Sequence, residues 1–330
     1  MSQLSFTRTL NIRHPILMAP MFLVSNEAMI KAGMDSGIAA TFPALNFRKE
    51  GALAALLARL QAYREETSAP GNFGVNLIVH KSSQSYHRDL QCCVDAKVPF
   101  YITSLGDPSE VIQAAHSYGA KVLCDVTNLK HAEKAAHAGC DGFVGVGAGA
   151  GGHAGPHPLH VLLPVLRNAF PDKWLVAAGG IAHGRQIAAM RILGADAVSI
   201  GTRFIASPEA NVTDEYKSAI MAAGMDDIVL TERLSGVPCN VINTPQAQKL
   251  GYRQNWLERY LSQKPQTKKK VRRLMQTKAM HRIGNALLPQ GYQSIYSAGQ
   301  SVGMVKEVLP IAEIVRNLLE EYHAASKPED

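Results

Sequence analysis

The sequence predicts an α/β barrel of eight parallel strands, and three observations support this fold class. Eight short apolar segments recur along the chain, helical segments lie between them, and strand starts are spaced by roughly 20–35 residues, the length of a βα unit. Of the 330 residues, 46% are hydrophobic and 18% are charged. This composition supplies a large core and excludes a disordered or collagen-like chain.

Each predicted strand is rich in aliphatic or β-branched residues and lacks a clean alternation of polar and apolar positions. That pattern is typical of strands that are buried on both faces, as in a parallel sheet. Strict alternation of eight such strands with helices favours a closed barrel over an open sheet. The predicted strands are 15–19, 38–42, 73–78, 99–103, 121–126, 142–146, 174–178 and 197–201.

Helices are predicted between the strands, and several of them end at a glycine, which favours the left-handed conformation of a helix C-terminus. These helices are 26–36, 49–66, 108–118, 129–138, 158–169 and 184–193. After residue 202 the regular alternation of strands and helices stops. Residues 207–224 and 255–280 are predicted to be helical, and an amphipathic helix over 308–323 is expected to close the chain.

This break in the pattern predicts two parts. Residues 1–234 together with 289–330 are expected to form the barrel, and residues 235–288 a helical insertion that covers the barrel mouth. A surface insertion that contacts no site is the alternative.

The net charge of +7 arises from one short stretch of the chain. Residues 262–282 hold eight Lys and Arg and no acidic residue, so the rest of the chain sums to −1. A solvated basic face is the simplest interpretation, and an anionic ligand is the alternative. No aromatic residue interrupts the stretch, so a nucleic-acid partner is not expected.

Five cysteines without a C-x-x-C pair favour free thiols in a reducing compartment over disulfides or structural zinc. The N-terminal residues lack an apolar segment of signal-peptide length. The longest apolar run, 15–24, contains two prolines and is too short to span a bilayer. We therefore expect a cytoplasmic protein without membrane contact.

Candidate site residues lie at the C-terminal ends of the predicted strands, where barrels of this kind carry their sites. Glycine pairs follow strands seven and eight, at the position that often binds phosphate through backbone N–H groups. Glycines that merely permit tight turns are the alternative. The residues at this end are Ala19, Met21, Asn76, Ser104, Asp125, the segment 147–155, Gly179, Gly180, Gly201 and Thr202.

The segment after strand six contains G-x-G-x-x-G, formed by Gly147, Gly149 and Gly152. A dinucleotide-binding fingerprint must lead directly into a helix, and Pro156 and Pro158 prevent that. The match therefore does not support a Rossmann site.

Three histidines, His153, His157 and His160, lie close together in this sequence segment. The prolines between them prevent a shared helical face and no acid completes a ligand set, so we expect no metal. A single histidine over a cofactor would suit a general base, because imidazole has an unperturbed pKa of about 6.5. His153 is nearest the strand and is the preferred candidate.

Six segments together resemble the nitronate monooxygenase family, FMN-containing α/β barrels related to FMN-dependent enoyl-acyl-carrier-protein reductases. The combination of the GGH loop with GTRF is the most specific part of the resemblance. The segments are HPILMAPM (14–21), FGVNL (73–77), AGAGGHAG (148–155), AAGGIAHGR (177–185), LGADAVSIGTRFIAS (193–207) and YSAGQSVG (296–303).

The resemblance implies FMN as the cofactor and His153 as the catalytic base. It also implies that Gly179, Gly180, Gly201 and Thr202 hold the FMN phosphate. The other residues that the resemblance places at the flavin are Ala19 and Met21 through their backbone, the Asn76 amide, Gly151, Gly152 and Gln300.

Asp125 is counted as a cofactor-binding residue, but it departs from the family pattern. Many relatives carry Lys or Gln at this position on strand five. A carboxylate beside the flavin would disfavour the anionic reduced form, although it could accept hydrogen bonds from ribityl hydroxyls.

The implied reaction oxidises an alkyl nitronate or nitroalkane with O2 to a carbonyl compound and nitrite. Reduction of a quinone or an enoyl thioester by NADH or NADPH is the alternative within flavin chemistry. A barrel that binds a ligand without turnover is the alternative from another class.

Overall fold

The computed structural model describes residues 5–79, 84–234, 237–253 and 295–326. Eight parallel strands close a barrel in the order β1-β2-β3-β4-β5-β6-β8-β9, and β9 pairs with β1. The predicted fold class is confirmed. The barrel strands are β1 (Ile16–Met18), β2 (Ala39–Pro43), β3 (Asn72–Ile78), β4 (Phe100–Ser104), β5 (Lys121–Val126), β6 (Gly142–Val146), β8 (Trp174–Ala178) and β9 (Ala197–Ile200).

Helices surround the barrel, and most of them lie where the sequence predicts. The described residues also form three helices that the pattern did not predict: α1 before the first strand, α4 between β3 and β4, and the short α9 after β9. The helices are α1 (Phe6–Leu10), α2 (Glu27–Asp35), α3 (Ala52–Thr67), α4 (Gln84–Asp95), α5 (Ser109–His116), α6 (Leu129–His137), α7 (Leu159–Ala169), α8 (Gly184–Ile192), α9 (Thr202–Ile205), α10 (Asp214–Ala222), α11 (Pro245–Leu250) and α12 (Ile311–Ala325).

Apolar side chains fill the barrel interior, because alternate residues of each strand point inward. Phe100, Ile102 and Leu123 belong to this interior cluster. At the amino end, α1 closes the barrel by packing Phe6 edge-to-face against Trp174, with ring centroids 5.7 Å apart. The interior is therefore sealed at the amino end, which leaves the carboxyl end as the mouth.

A second, three-stranded antiparallel sheet lies in the order β10-β11-β7. Its strands are β7 (Gly152–His153), β10 (Ile228–Thr231) and β11 (Cys239–Ile242). β7 comes from the glycine-rich segment after β6, and β11 comes from the start of the predicted insertion. The sheet thus joins the insertion to the GGH segment.

Two predicted helices need correction. The helix predicted over 207–224 is confined to Asp214–Ala222, which Thr213 caps by accepting the backbone N–H of Tyr216 on its hydroxyl at 3.3 Å. The insertion predicted to be helical over 235–288 contains β11, because its Cys-Asn-Val-Ile segment pairs with β7 and β10. The predicted helix 255–280 and the basic stretch 262–282 lie outside the described residues.

Candidate functional site

Three chain segments converge at the carboxyl end of the barrel. The segment after β6 contacts the Gly179–Gly180 turn, since a Cβ at Gly149 would lie 3.2 Å from the Gly180 Cα. It also contacts the segment after the insertion, where the Gln300 N–H donates to the Gly149 carbonyl at 3.3 Å. The structure therefore brings together sequence-predicted residues from three separate parts of the chain.

Thr202 links this cluster to the end of β9. Its hydroxyl is buried and accepts the backbone N–H of Gly299 at 3.0 Å. The hydroxyl hydrogen is therefore available to donate to another group. Thr202 is also the first residue of α9, where backbone N–H groups lack intrahelical acceptors. These donors suit an anion such as a phosphate.

The glycines of the cluster fall into two kinds. Some are required by the protein's own packing, because a Cβ at Gly179 would lie 2.8 Å from the Ala150 nitrogen and one at Gly151 would lie 2.7 Å from the Gly299 nitrogen. Others have more room: a Cβ at Gly180 or Gly201 would make only ordinary van der Waals contacts, with no protein atom closer than 3.8 or 3.5 Å, respectively. Gly180 also has a φ of +75°, which favours glycine whatever the space. These two open glycines leave room for a ligand to approach the backbone, so this part of the mouth fits a phosphate-bearing cofactor.

Polar side chains occupy one arc of the barrel floor. Ser104 follows Ile102 by two residues and Asp125 follows Leu123 by two, so both continue the inward-facing rows. The Asn76 amide nitrogen donates to the Ser104 hydroxyl at 2.8 Å and to the Ile102 carbonyl at 3.2 Å. Ser104 in turn donates to Asp125 Oδ2 at 2.5 Å. These three side chains form a connected polar arc across β3, β4 and β5.

Asp125 lies in an unusual environment for a carboxylate. The residue is partly exposed at the mouth, but protein atoms surround most of its carboxyl group. This burial raises the pKa of Asp125 to about 6. The hydrogen bond from Ser104 opposes this shift, because it stabilises the charged form. Asp125 is therefore a carboxyl group that changes charge near neutral pH.

Ala19 and Met21 line the mouth beside Gly201. A Cβ at Gly201 would lie 3.5 Å from the Ala19 Cβ and 3.7 Å from the Met21 Sδ. The backbone N–H of Ala19 donates to the Ile200 carbonyl at 2.8 Å, and that of Met21 donates to the Ser25 hydroxyl at 3.0 Å. Both N–H groups thus have partners within the protein. The Met21 carbonyl also has partners, because it accepts from the backbone of Val24 and Ser25 and from the Asn46 amide. A ligand at this end would therefore meet Met21 by packing.

His153 lies on the edge strand β7, where it is paired with Cys239 of β11, and its side chain is exposed. The expected loop is therefore a short strand. His157 and His160 are also exposed but lie farther along the chain, before and within the first turn of α7. Of the three, His153 is the histidine that lies on the small sheet, next to the glycine-rich segment.

The predicted site residues omit two functional residues of this region, Ser104 and Asn240. The sequence places Ser104 at the mouth, and its position two residues after Ile102 indicates an inward side chain. No sequence pattern points to Asn240. Its amide nitrogen donates to the carbonyls of Ala148 and Ala150, both at 2.8 Å, and so holds the glycine-rich segment in place. Strand alternation could have identified Ser104, but nothing local indicates Asn240.

Within the described ranges, no set of three or more His, Cys, Asp or Glu side chains is arranged to hold a metal ion. Among the helices of that same part of the chain, none has the length and apolarity needed to cross a bilayer.

Comparison with known proteins identifies the family to which this chain belongs. Residues 39–321 match the model of the nitronate monooxygenase family. Nitronate monooxygenase of Pseudomonas aeruginosa is 27% identical over an alignment of 369 residues that covers 96% of this chain and 98% of the relative. The (3aS,4S,5R,7aS)-5-hydroxy-7a-methyl-1-oxo-octahydro-1H-indene-4-carboxyl-CoA dehydrogenase of Mycobacterium tuberculosis is 28% identical over 246 residues, 74% of this chain and 67% of the relative.

Solved structures of two similar proteins share the fold of this chain. FabK of Thermotoga maritima superposes with a TM-score of 0.78 at 28% identity, covering 96% of this chain and 95% of that one. Nitroalkane oxidase of Streptomyces ansochromogenes superposes with a TM-score of 0.80 at 25% identity, covering 97% and 98%. The chain therefore belongs to the nitronate monooxygenase family and is a flavin oxidoreductase.

Proposed function

We propose that the barrel mouth binds FMN and oxidises nitroalkanes or their nitronates with O2 to a carbonyl compound and nitrite. One observation carries this proposal: Gly180 and Thr202 adjoin the glycine-rich segment that leads into the GGH strand, in a member of the nitronate monooxygenase family. The name of a relative, nitronate monooxygenase, supports the substrate class.

The FMN phosphate would be held by the backbone of Gly179, Gly180 and Gly201 and by the Thr202 hydroxyl. These residues supply donors without a bulky side chain, and Gly180 and Gly201 also leave room for a ligand. The remaining residues proposed to contact the cofactor are Ala19, Met21, Asn76, Asp125, Gly151, Gly152 and Gln300. Of these, Gly151 also has a packing role, because Gly299 leaves no room for a side chain there.

His153 would remove the α-proton of a neutral nitroalkane, or orient a nitronate that is already ionised. Its place on β7 fixes the backbone, and its exposed side chain can pass the proton on to solvent. Bound FMN would supply the electron transfer between the nitronate and O2. The protein's own contribution is to position the substrate carbon and to provide the base.

Reduction of a quinone or an enoyl thioester by NADH or NADPH is a second candidate. One relative is named as a carboxyl-CoA dehydrogenase, which favours this possibility. Anaerobic bleaching of the flavin absorbance by NADH or NADPH would support it, and bleaching by nitroalkane alone would support the first candidate. A barrel without turnover is set aside, because the chain belongs to an enzyme family.

Substitution of His153 tests the proposed base. His153→Asn should keep FMN bound and lower kcat/KM with neutral nitroethane at least 100-fold, because general-base catalysis contributes about 10²–10⁴-fold. With preformed ethyl nitronate, which needs no proton removal, the loss should be less than about tenfold. Nitrite release measures both.

His157→Asn is the matched control, because His157 is an exposed histidine of the same segment. It should retain turnover with both substrates. If His153→Asn keeps normal turnover with neutral nitroethane, His153 is not the base.

A further inference from the structure

The barrel floor is asymmetric in polarity. Asn76, Ser104 and Asp125 lie on the arc formed by β3, β4 and β5. The arc formed by β6 and β8 ends instead in Val146 and Ala178, which pack against the apolar interior. Asp125 is thus the one ionisable group in this inward-facing layer of the described strands.

Hydrogen bonds fix the orientation of the Asp125 carboxyl. Asn76 donates to Ser104, which forces the Ser104 hydroxyl hydrogen toward Asp125 Oδ2. Asp125 Oδ1 has no hydrogen bond. If it were also fully buried it would be an unpartnered buried atom, and among the described side chains that description fits Glu209 Oε2 instead. Asp125 Oδ1 is therefore reached by solvent from the mouth. One carboxyl oxygen is held by the wall, and the other faces the site.

No described cation compensates the charge of Asp125. The groups that face it are Ser104 on β4, Asn76 on β3 and Val144 on β6. The other titratable neighbour is Cys124, and its raised pKa keeps this thiol neutral. Desolvation and the Ser104 hydrogen bond are the influences that set the pKa of Asp125. At pH 8 the floor therefore carries a negative charge with no described cation beside it.

We propose that Asp125, oriented by Ser104, is a tuning residue that disfavours reduced FMN relative to oxidised FMN. This inference rests on the proposed FMN site. Asn76, which is proposed to contact the cofactor, donates to Ser104, so the polar arc belongs to the proposed site. Two-electron reduction of flavin produces an anion at neutral pH, and a nearby carboxylate repels that second negative charge.

The test is a redox titration of the FMN-loaded protein against a reference dye. The potential of bound FMN relative to free FMN gives the ratio of the Kd for reduced FMN to the Kd for oxidised FMN. Asp125→Asn keeps the shape of the side chain and removes its charge, so this ratio should fall about tenfold at pH 8. At pH 5, where Asp125 is neutral, the variant and the wild type should agree.

Asp226→Asn is the matched control, since it removes one exposed carboxylate from a 3-10 turn outside the polar arc. Its ratio should equal that of the wild type at both pH values. A ratio in Asp125→Asn that is unchanged at pH 8 while FMN remains bound would overturn the inference. A wild-type protein that binds no FMN would instead overturn the proposed function.

Ser104→Ala provides a second variant in case Asp125→Asn does not fold. Loss of the Ser104 hydrogen bond removes a stabilisation of the carboxylate, so the pKa of Asp125 should rise. The pH at which the Kd ratio changes should then move upward from about 6. A transition that stays at the wild-type pH would contradict the positioning role of Ser104.

Discussion

At the scale of single residues, the glycines of the barrel mouth have different roles. Gly179 has a φ of +119° and packs against Ala150, so the fold itself requires it. Gly201 has a φ of −112°, outside the left-handed region, and a Cβ there would make only ordinary van der Waals contacts with Ala19 and Met21. Because the protein does not need glycine at Gly201, close approach of a ligand is the better explanation for it.

Gly201→Ala tests this explanation. The added methyl group fits the protein, so the free energy of unfolding without FMN should change by less than about 0.5 kcal/mol. FMN affinity should fall at least tenfold, since the methyl group occupies the space proposed for the phosphate. Equilibrium dialysis with FMN and urea titration measure the two effects.

Gly145→Ala is the matched control, because its Cβ would also meet the nearest side chain, Leu163, at 3.5 Å but on the helix side of β6. It should leave FMN affinity unchanged. Equal affinity losses in the two variants would contradict a phosphate at Gly201.

The sequence predicted the positions of individual mouth residues because strand ends are defined locally. Asn76 and Asp125 could be placed by counting along apolar segments. The hydrogen bonds that join them through Ser104 could not be predicted, because they depend on the stagger between adjacent strands. That stagger also determines the raised pKa of Asp125, which no local pattern reveals.

At the scale of elements, β7 shows why the insertion was mispredicted. β7 contains two residues, too few to produce a periodic pattern, and it exists because β11 pairs with it. Asn240 reaches Ala150 across a sequence separation of 90 residues. Local propensity carries no information on such a contact. A sequence segment dominated by helical signals therefore hid the strand that supports His153.

Asn240→Ala tests the role of β11 in holding the glycine-rich segment. It leaves the carbonyls of Ala148 and Ala150 without their shared donor, which should lower the free energy of unfolding by about 2 kcal/mol. Turnover with neutral nitroethane should also fall, because the segment that leads into β7 loses two of its hydrogen bonds. Urea titration and nitrite release give the two results.

Asn243→Ala is the control from the same chain segment. It removes a hydrogen bond from the Tyr252 hydroxyl at the surface, and its effect on stability should be below about 0.5 kcal/mol. If Asn240→Ala is as stable as Asn243→Ala, the glycine-rich segment does not depend on the hydrogen bonds of Asn240.

At the scale of the whole molecule, the barrel was predictable because its signal is repeated eight times. Each strand is short, yet the regular spacing and the glycine-terminated helices agree with one another, so an error in one element does not change the fold class. The closure of the amino end by α1 was not predictable in this way. It depends on the fit of Phe6 against Trp174 inside the finished barrel.

The central claim is that the open mouth of this barrel is an FMN site. An absorption spectrum of the purified protein, followed by identification of the chromophore released on heating, tests it most directly. Flavin bands and free FMN in about one-to-one ratio to protein are the expected result, either as purified or after incubation with FMN. A protein that stays colourless after incubation with FMN would contradict the assignment of Gly180, Gly201 and Thr202 to a phosphate site.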